Sequence, residues 1–530
     1  MKLVQTNKAP EPAVSSVKVI RHPHYASNII KIELVYTAYE NLFKERFHKY
    51  LPVPAGLEAE DVKINEAINN ATGQIATELA VGSGWTSASK AYVNEAFESF
   101  LTQQTVSIAI SLALQHPPII KLPSSINYLE KRMTADGKDA TQFLKDVLIE
   151  VSLSGRVPIL LDISEDGKFH VVQYKAGSLI DWADQSLGID SRAIVYLKFI
   201  DFEKNPDFNP LQDDDSKRNI QVMFYHYIKN GIYTVEKYKS RQSTFDQNDL
   251  YLDDTTVPEY MGKKLDFIPA VVIGSLNNTV TIDPIPLYSI ASCDLKRVEL
   301  SAMLGYAQKM SSGPTMYMTG VDKDDAPPVT GPGTLVTIAD SQGRVGYTTT
   351  DTTAFVSIRD EMQEYVAIAQ ELGASILGAK RGTSESGEAL RLRQAAATAS
   401  LKSIVSNTGS GINLILEIAA KWTGADIEEV DFEANEEFNT FALTANETIA
   451  MLQSWQSGAI SQSTLLENFR KAGMLQAGET VEDELKRLAQ PGEKYEPIVE
   501  EGSNTSITEK KLDTGEDLPD STTMNKNIKS

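Results

Sequence analysis

Cysteine is nearly missing from this chain. One thiol, Cys293, stands in 530 residues, which excludes an intrachain disulfide framework, a cysteine-built zinc site and a two-thiol redox motif, and leans toward a reducing compartment. Long apolar runs are missing as well. The densest, VSIAISLAL at residues 106–114, is too short to cross a bilayer, and the opening MKLVQTNKAPEP has no apolar centre of the kind a secretory leader needs. The expectation is a soluble, unsecreted protein without a membrane partner. Positive charge is scarce too: 72 Asp and Glu against 50 Lys and Arg leave a formal charge of −22. This argues against bulk attraction to nucleic acid, because phosphate binding runs on clustered Lys and Arg. A protein that touches DNA without gripping it is not excluded.

The signatures of common catalytic chemistry are absent. A phosphate-cradling loop needs Gly-Lys followed by Ser or Thr, and here Gly137-Lys138, Gly167-Lys168 and Gly262-Lys263 precede Asp, Phe and Lys. Neither the G-x-S-x-G nucleophile turn nor the H-E-x-x-H zinc helix occurs, and Ser410, between Gly409 and Gly411, lies inside a helical pattern. Of six histidines only His22 and His24 are close, in RHPHY; two imidazoles without a third ligand nearby read as a surface turn rather than a metal site. The acidic run 213–215 lacks the alternation and the glycine of a calcium loop. No catalytic residue, metal or cofactor is expected.

What is present is a patterned chain of several parts. At 42% apolar residues and this length, roughly three or four units of about 150 residues are expected, with a sizeable core that needs no staples. Residues 28–114 read as helical: Ile29, Ile32, Leu34 and Tyr36 open an apolar face, and 67–80 and 91–114 continue it at three-to-four spacing. His116-Pro117-Pro118 and Leu122-Pro123 end that region, since proline removes a helix donor and pushes its predecessor toward extended geometry. A helix over 140–153 stops at Gly155. From 158 to 280 the pattern becomes short β-rich runs, PILLDI, FHVVQY, AIVYLKFI, IQVMFYHYI, IYTVEKY and FIPAVVIG, separated by turn residues. Asn230-Gly231 between two aromatic-rich runs is a hairpin signal. The section is expected to be an α+β unit with an antiparallel sheet.

After Pro284 and Pro286 a helix is expected over 287–310, about 36 Å long, with Leu287, Ala291, Leu295, Val298, Ala302 and Gly305 on one stripe. Residues 313–353 form a compact insert rich in Gly, Pro and Thr, with strand-like pieces TMYMTG, TLVTI and RVGYTTT. The helix after it carries Phe355, Ile358, Met362, Tyr365, Ala369, Leu372 and Ile376 in alternating steps of three and four, a heptad-like seam. That seam fits a helical hairpin within one globular core, or a stalk that holds the insert away from the body. GAKRGTSESG at 378–387 is a polar loop, and a long helix over 388–422 follows. Gly409 and Gly411 are expected to kink or break that helix, and 412–422, apolar nearly all round, to be buried. Thr444 and Glu447 make a capping box for a helix to residue 456, Ser461 caps another, and 480–483 begins a third. From 491 onward the only aromatic is Tyr495 and no periodic apolar face exists, so a disordered tail is expected.

At PLYSIASCDLKRVELSAMLGYAQKMSSGPTMYMTG the sequence resembles the portal proteins of tailed bacteriophages. The resemblance continues in GPGTLVTI, in RVGYTTTDTTAFVSIRDEMQEYVAIAQELGASIL and in SESGEALRLRQAAATASLKSIVSNTGSGINLILEIAAKW. Further pieces lie upstream (HPPIIKLP, FLKDVLIEVSLSGRVPILLDIS, LIDW) and downstream (MLQSWQSGAISQSTLLENFRKAGML), and together they cover residues 91–488. Their order along the chain carries the resemblance. It implies a mainly helical α+β portal fold. In that fold residues 1–283 are an outward wing with a helical part and an antiparallel sheet, 284–310 and 353–378 are paired stem helices, and 311–352 are a small β clip. Residues 379–424 become a tunnel loop and a long kinked helix, 425–443 a return strand to the wing, 444–490 a helical crown and 491–530 a disordered acidic tail.

The same resemblance implies a homo-oligomeric ring, usually of twelve copies, at one capsid vertex of the virion, assembled in the host cytoplasm. Double-stranded DNA would pass through it without sequence preference during packaging and ejection. The implied partners are the terminase large subunit, the major capsid protein and scaffold, and later a head-completion or tail adaptor protein. Ala326, Pro327, Pro328, Gly331 and Pro332 then become the docking clip. Lys380 and Arg381 of the loop, with Lys296, Arg297 and Lys309 of the stem, become candidates to graze phosphates. Ring closure by head-to-tail contacts needs two different complementary faces on each subunit, and a strongly acidic ring repels rather than holds a polyanion. The alternatives are a soluble multi-domain enzyme with an unrecognised site, or another virion structural component; no enzymatic activity is expected.

Overall fold

The computed structural model describes residues 17–53, 92–164, 166–188, 191–205, 208–209, 218–240, 248–311, 315–320, 343–348, 353–377, 387–436, 438, 445–471, 474 and 481–489. The chain divides into two units, residues 1–480 and 481–530. The first opens with α1 (Tyr25–Glu40), the short α2 (Phe47–Tyr50) and α3 (Leu101–Ala113). Strand β1 (Ile119–Lys121) and helix α4 (Ala140–Ser154) lead into β2 (Arg156–Ile163), β3 (Phe169–Gln173), β4 (Leu179–Gly188) and β5 (Ser191–Lys204). Then come β6 (Asn219–Lys229), β7 (Ile232–Ser240), β8 (Leu250–Thr256), the two-residue β9 (Glu259–Tyr260) and β10 (Lys263–Lys264), and β11 (Ala270–Gly274). Helix α5 (Tyr288–Ser311), strands β12 (Thr315–Thr319) and β13 (Arg344–Thr348), α6 (Thr353–Leu377) and the long α7 (Gly387–Thr423) follow. Strand β14 (Asp431–Glu433), α8 (Ala445–Gln456) and α9 (Gln462–Lys471) complete it, and the described part of the second unit is α10 (Val481–Ala489). The class is mixed helix and sheet.

The β-rich runs divide between two sheets rather than forming one. Strands β4 to β8 make a five-stranded sheet in sequential order, while β2 lies between β11 and β3 in a three-stranded one; every pair is antiparallel. The pattern of side chains explains the split. The first six residues of β2 and all five of β11 are buried, so these strands are covered on both faces, with α4 against β2 and α7 against both. Strands β5 to β7 instead alternate: Leu197, Phe199, Phe224, Tyr233 and Val235 belong to the main core, and Tyr196, Lys198, Tyr225 and Glu236 take the other face. Asn230 and Gly231, at φ 53° and 75°, close β6 onto β7 with Lys229 paired to Ile232, the two-residue turn that the right-handed strand twist favours.

The outer face of this sheet is crossed by residues 17–22. Val17 exchanges backbone hydrogen bonds with Leu250 on the free edge of β8, at 2.9 and 3.3 Å. The His22 amide donates to the Ile180 carbonyl, at 2.9 Å, on β4, the opposite edge strand. Between these anchors Val19 is buried in a small separate core with Ile180, Ile200, Met223, Tyr238 and Leu250, one residue from each of the five strands.

Two helices show how local sequence sets an end. The Asp139 side chain caps α4 by accepting the Gln142 amide at 2.8 Å, and Gly155 ends it in the left-handed conformation, φ 77°. A side chain there would meet the Asp283 carbonyl at 2.8 Å, so only glycine fits. Ser461 likewise accepts the Thr464 amide, at 3.2 Å, in the first turn of α9.

The expected kink at Gly409 and Gly411 does not occur: α7 runs unbroken for 37 residues. These glycines serve packing instead. A Cβ at Gly411 would lie 2.5 Å from Cγ1 of Ile273 on β11, and one at Gly409 would lie 3.1 Å from Cβ of Ala434. Their helix-propensity cost, about 1 kcal/mol each, is offset by backbone-level contact with the sheet. Beyond them Ile412, Ile415, Leu416, Ala419, Ala420 and Trp422 are buried, whereas Leu414 is 44% exposed, so the segment has one outward face rather than being covered all round. The helical reading of 91–114 is also corrected, because residues 96–100 are not helical between the turn at 92–95 and α3. The segments 67–80, 213–215 and TLVTI, the capping Thr444 and the tail from 491 lie outside the described residues.

Candidate functional site

Helix α5 is fixed along its length by a column of polar contacts beside its apolar stripe. Leu287, Ala291, Val298 and Ala302 of the stripe are buried. On the neighbouring face, positions 294, 297, 301, 305 and 309 follow at three- and four-residue steps and so line one side of the helix. Residues 95–102 run past this line in the opposite direction. Asp294, fully buried, accepts the backbone amides of Leu101 (3.2 Å) and Thr102 (2.8 Å) and the Thr102 hydroxyl (2.5 Å). Those are the first free amides of α3, so a carboxylate from another helix supplies the cap that Phe100 cannot. Arg297 Nη1 donates to Ser99 Oγ at 2.6 Å, and the Phe97 amide donates to Ser301 Oγ at 2.7 Å. At Gly305 a Cβ would sit 2.9 Å from Cβ of Glu95, and Lys309 Nζ donates to the Glu95 carboxylate at 2.8 Å.

The electrostatics follow from this burial. Removal from water pushes the Asp294 carboxyl above the usual range, against the hydrogen bonds from Ser99, Thr102 and the two amides, which favour its charged form. The Lys296 ammonium is held above its usual value chiefly by its hydrogen bond to Glu299, at 2.7 Å.

Helix α6 packs back along α5 through the heptad-like seam. Phe355, Ile358, Met362, Tyr365 and Leu372 are half-buried and Ala369 is buried, while Val356, Arg359, Asp360, Glu364, Ile368 and Glu371 face outward. The side chain of Ile376 lies outside the described residues. Gly373 brings the far end of α6 against Thr105 of α3 and Ile290 near the start of α5, where a Cβ would have ordinary contacts at 3.7 and 3.9 Å. At the other end α5 leads into β12 and β13 leads into α6, and these strands pair from Thr315↔Thr348 to Thr319↔Arg344. Two helices of about 36 Å thus begin and end at one small antiparallel ladder.

Of the residues singled out in the sequence, Lys296 and Lys309 are exposed and hydrogen-bonded to carboxylates of the same chain, and Arg297 is half-buried and turned to Ser99. Lys380, Arg381, Ala326, Pro327, Pro328, Gly331 and Pro332 lie outside the described residues. His22 and His24 form a turn, with the His24 amide donating to His22 Nδ1 at 3.2 Å. Among the described residues no group of three or more His, Cys, Asp or Glu is placed to hold a metal ion, and no helix is long and apolar enough to cross a membrane. The polar contacts of Asp294 and Ser301 were not recognised from sequence, and Gly305, expected on the apolar stripe, lies against Glu95 in the same column. The signal of this column was the small or polar residue at each turn alongside the apolar stripe.

Comparison with known proteins gives one family match, which falls on this part of the chain. A family model described as a domain of unknown function (DUF4055) matches residues 286–423, which run from just before α5 to the last residue of α7. No curated protein matches. Among solved structures, the chain is similar to one from the virion of a native gene transfer agent (GTA) particle, at 12% identity and TM-score 0.37, covering 78% of this chain and 99% of that one. It is also similar to a chain from the neck of an empty GTA particle computed with C6 symmetry, at 12% identity and TM-score 0.36, covering 74% and 94%. A third, from the neck of a native GTA particle computed with C12 symmetry, gives 11% identity and TM-score 0.32 over 71% and 90%.

Proposed function

We propose that this chain is a structural component of a phage-like virion and, more narrowly, its portal: a ring at one capsid vertex through which double-stranded DNA enters and leaves. The observation that carries this reading is the pairing of α5 with α6 around the β12–β13 ladder, anchored at its root by Asp294. Such a device presents a small β module at the end of two helices, which suits docking of a packaging motor and later of a head-completion or tail adaptor. The residues of the pair are also those in which the sequence resembles portal proteins. The protein is a conduit rather than an enzyme, with force supplied by a separate terminase. Its net charge of −22 per copy keeps DNA from adhering.

Electron microscopy of the purified protein with native mass on the same sample tests the reading. A ring with a central hole wide enough for duplex DNA, at about 700 kDa for twelve copies of 58.2 kDa, is expected. A chain that stays monomeric at high concentration and in the presence of scaffold would rule the portal reading out. Deletion of residues 326–337 is expected to leave the ring intact and abolish motor docking; normal binding of the terminase large subunit by the deleted ring would sink the clip assignment. Lys380→Ala with Arg381→Ala is expected to leave assembly unchanged and to alter packaged DNA length or retention. Virions of normal DNA content and retention would remove these two residues from the channel.

A further inference from the structure

We infer that residues 17–22 are an acid-released strap across the five-stranded sheet, with His22 as its buckle. The segment reaches from the outer edge of β8 to the outer edge of β4, with backbone hydrogen bonds at Val17 and His22 tying its two ends. In between, Val19 makes apolar contact with Ile180, Met223 and Leu250. The strap leads directly into α1, so it joins the outer face of the sheet to the helices that pack around α5.

The chemistry at the β4 end makes this grip sensitive to protons. The His22 ring is stacked on the indole of Trp182, with centroids 4.0 Å apart and 17° between planes. The guanidinium of Arg156 lies over the same indole, its Cζ 3.9 Å from the ring centroid. Arg156 is 1% exposed and is satisfied by the carbonyls of Val280 (3.1 Å) and Leu179 (3.3 Å); its Nε has no partner, and no ion pair neutralises it among the described residues. A buried positive charge therefore already shares the aromatic on which His22 rests. Because His22 Nδ1 accepts the His24 amide, the neutral ring carries its proton on Nε2. A second proton must go to Nδ1. It turns that acceptor into a donor, breaks the turn that precedes α1 and sets a second cation beside Arg156.

The charged and titratable groups around His22 come from three elements. Asp181 on β4 favours the protonated ring, while Arg156 on β2 and His24 in the turn before α1 oppose it; Arg21 lies over the ring of Tyr25, at 5.5 Å. Burial is the largest influence, and the balance holds His22 below its usual value of 6.5. For a histidine depressed in the folded state, the contribution to stability is complete above the unfolded value and is lost as pH falls through the folded one. Acid therefore loosens the strap and uncovers an apolar patch drawn from all five strands. Neither step depends on the chain being a portal.

Hydrogen exchange of the full-length protein, followed by mass spectrometry at about pH 7.5 and about pH 5.5 and corrected for intrinsic rates, reads the strap directly. In the wild type, peptides covering 17–25 are expected to lose protection several-fold at the lower pH, with a parallel rise in binding of an apolar fluorescent dye. His22→Phe keeps a ring on Trp182 but cannot titrate, and it should hold the strap equally at both pH values. His24→Asn should respond like the wild type. Equal protection of wild-type 17–25 at both pH values, or an unchanged acid response in His22→Phe, overturns the inference. Should phenylalanine fail to hold the strap even at the higher pH, His22→Gln, which keeps a neutral acceptor for the His24 amide, replaces it with the same two outcomes.

Discussion

Replacing Asp294 with alanine is expected to lower the stability of the first unit by about 3 kcal/mol, the largest effect of any single side-chain truncation on α5. The residue is buried and serves two backbone amides and two hydroxyls of a segment 192 residues away. Its removal strands the first amides of α3 without water, and loss of a helix cap alone costs about 1 kcal/mol. Returning a buried carboxylate to water offsets part of this, which keeps the figure below the sum of the bonds. Asp294→Asn retains one acceptor oxygen and should cost less. The pH dependence separates the two effects. Because the folded-state value is raised, the wild type draws most from this group below the unfolded value, near 3.8, and the benefit shrinks as pH rises through the folded one. The margin of wild type over Asp294→Asn should therefore be widest in acid and narrow toward neutrality. Urea unfolding of the three proteins at two pH values measures this, and an Asp294→Ala midpoint equal to wild type would show that the carboxylate does not cap α3.

Gly411→Ala is expected to cost about 2 kcal/mol, although alanine is the better helix former by about 1 kcal/mol. The two tendencies oppose each other, and the contact decides. The new methyl would lie 2.5 Å from Cγ1 and 2.8 Å from Cδ1 of Ile273, well inside van der Waals distance, in a strand whose every residue is buried. Ile273→Ala should cost about 3 kcal/mol by leaving a cavity. In the double variant the added methyl enters that cavity, so the combined loss should fall short of the sum by about 1 kcal/mol or more. A double-mutant cycle by chemical denaturation checks it, and strictly additive losses would mean that Gly411 is not there for Ile273.

Element existence was legible where the chain repeats a local rule. The apolar stripe and flanking prolines placed a helix at 287–310, and α5 spans Tyr288–Ser311; Gly155 and Asn230-Gly231 marked an end and a hairpin because left-handed backbone is a property of single residues. What escaped was set by distant partners. Glycine in a helix reads locally as a break, and only Ile273 on β11 and Ala434 reveal Gly411 and Gly409 as contact points. The β-rich runs could not be assigned to two sheets, because strand pairing is not written in either strand alone. The strap escaped for the same reason: Val19 looks like any valine until five strands contribute to its pocket. Within the candidate site, the resemblance led to the α5–α6 pair, while the buried carboxylate that anchors it was passed over as one acid among 72.

The short ladder between β1 and β14 sets the schedule of biosynthesis. Ile119 to Lys121 pair with Glu433 to Asp431, and Lys121 meets Asp431 at 3.2 Å across 310 residues of chain. At about 5–20 residues per second, β1 leaves the ribosome roughly 15–60 s before its partner strand exists. Throughout that interval β1 lacks the strand it pairs with in the folded chain, and its backbone groups are left to water. The strand is only three residues long, and prolines flank it at 117, 118 and 123. A waiting edge this short and this bounded offers little for a neighbouring nascent chain to zip onto, so the long delay before closure need not end in aggregation.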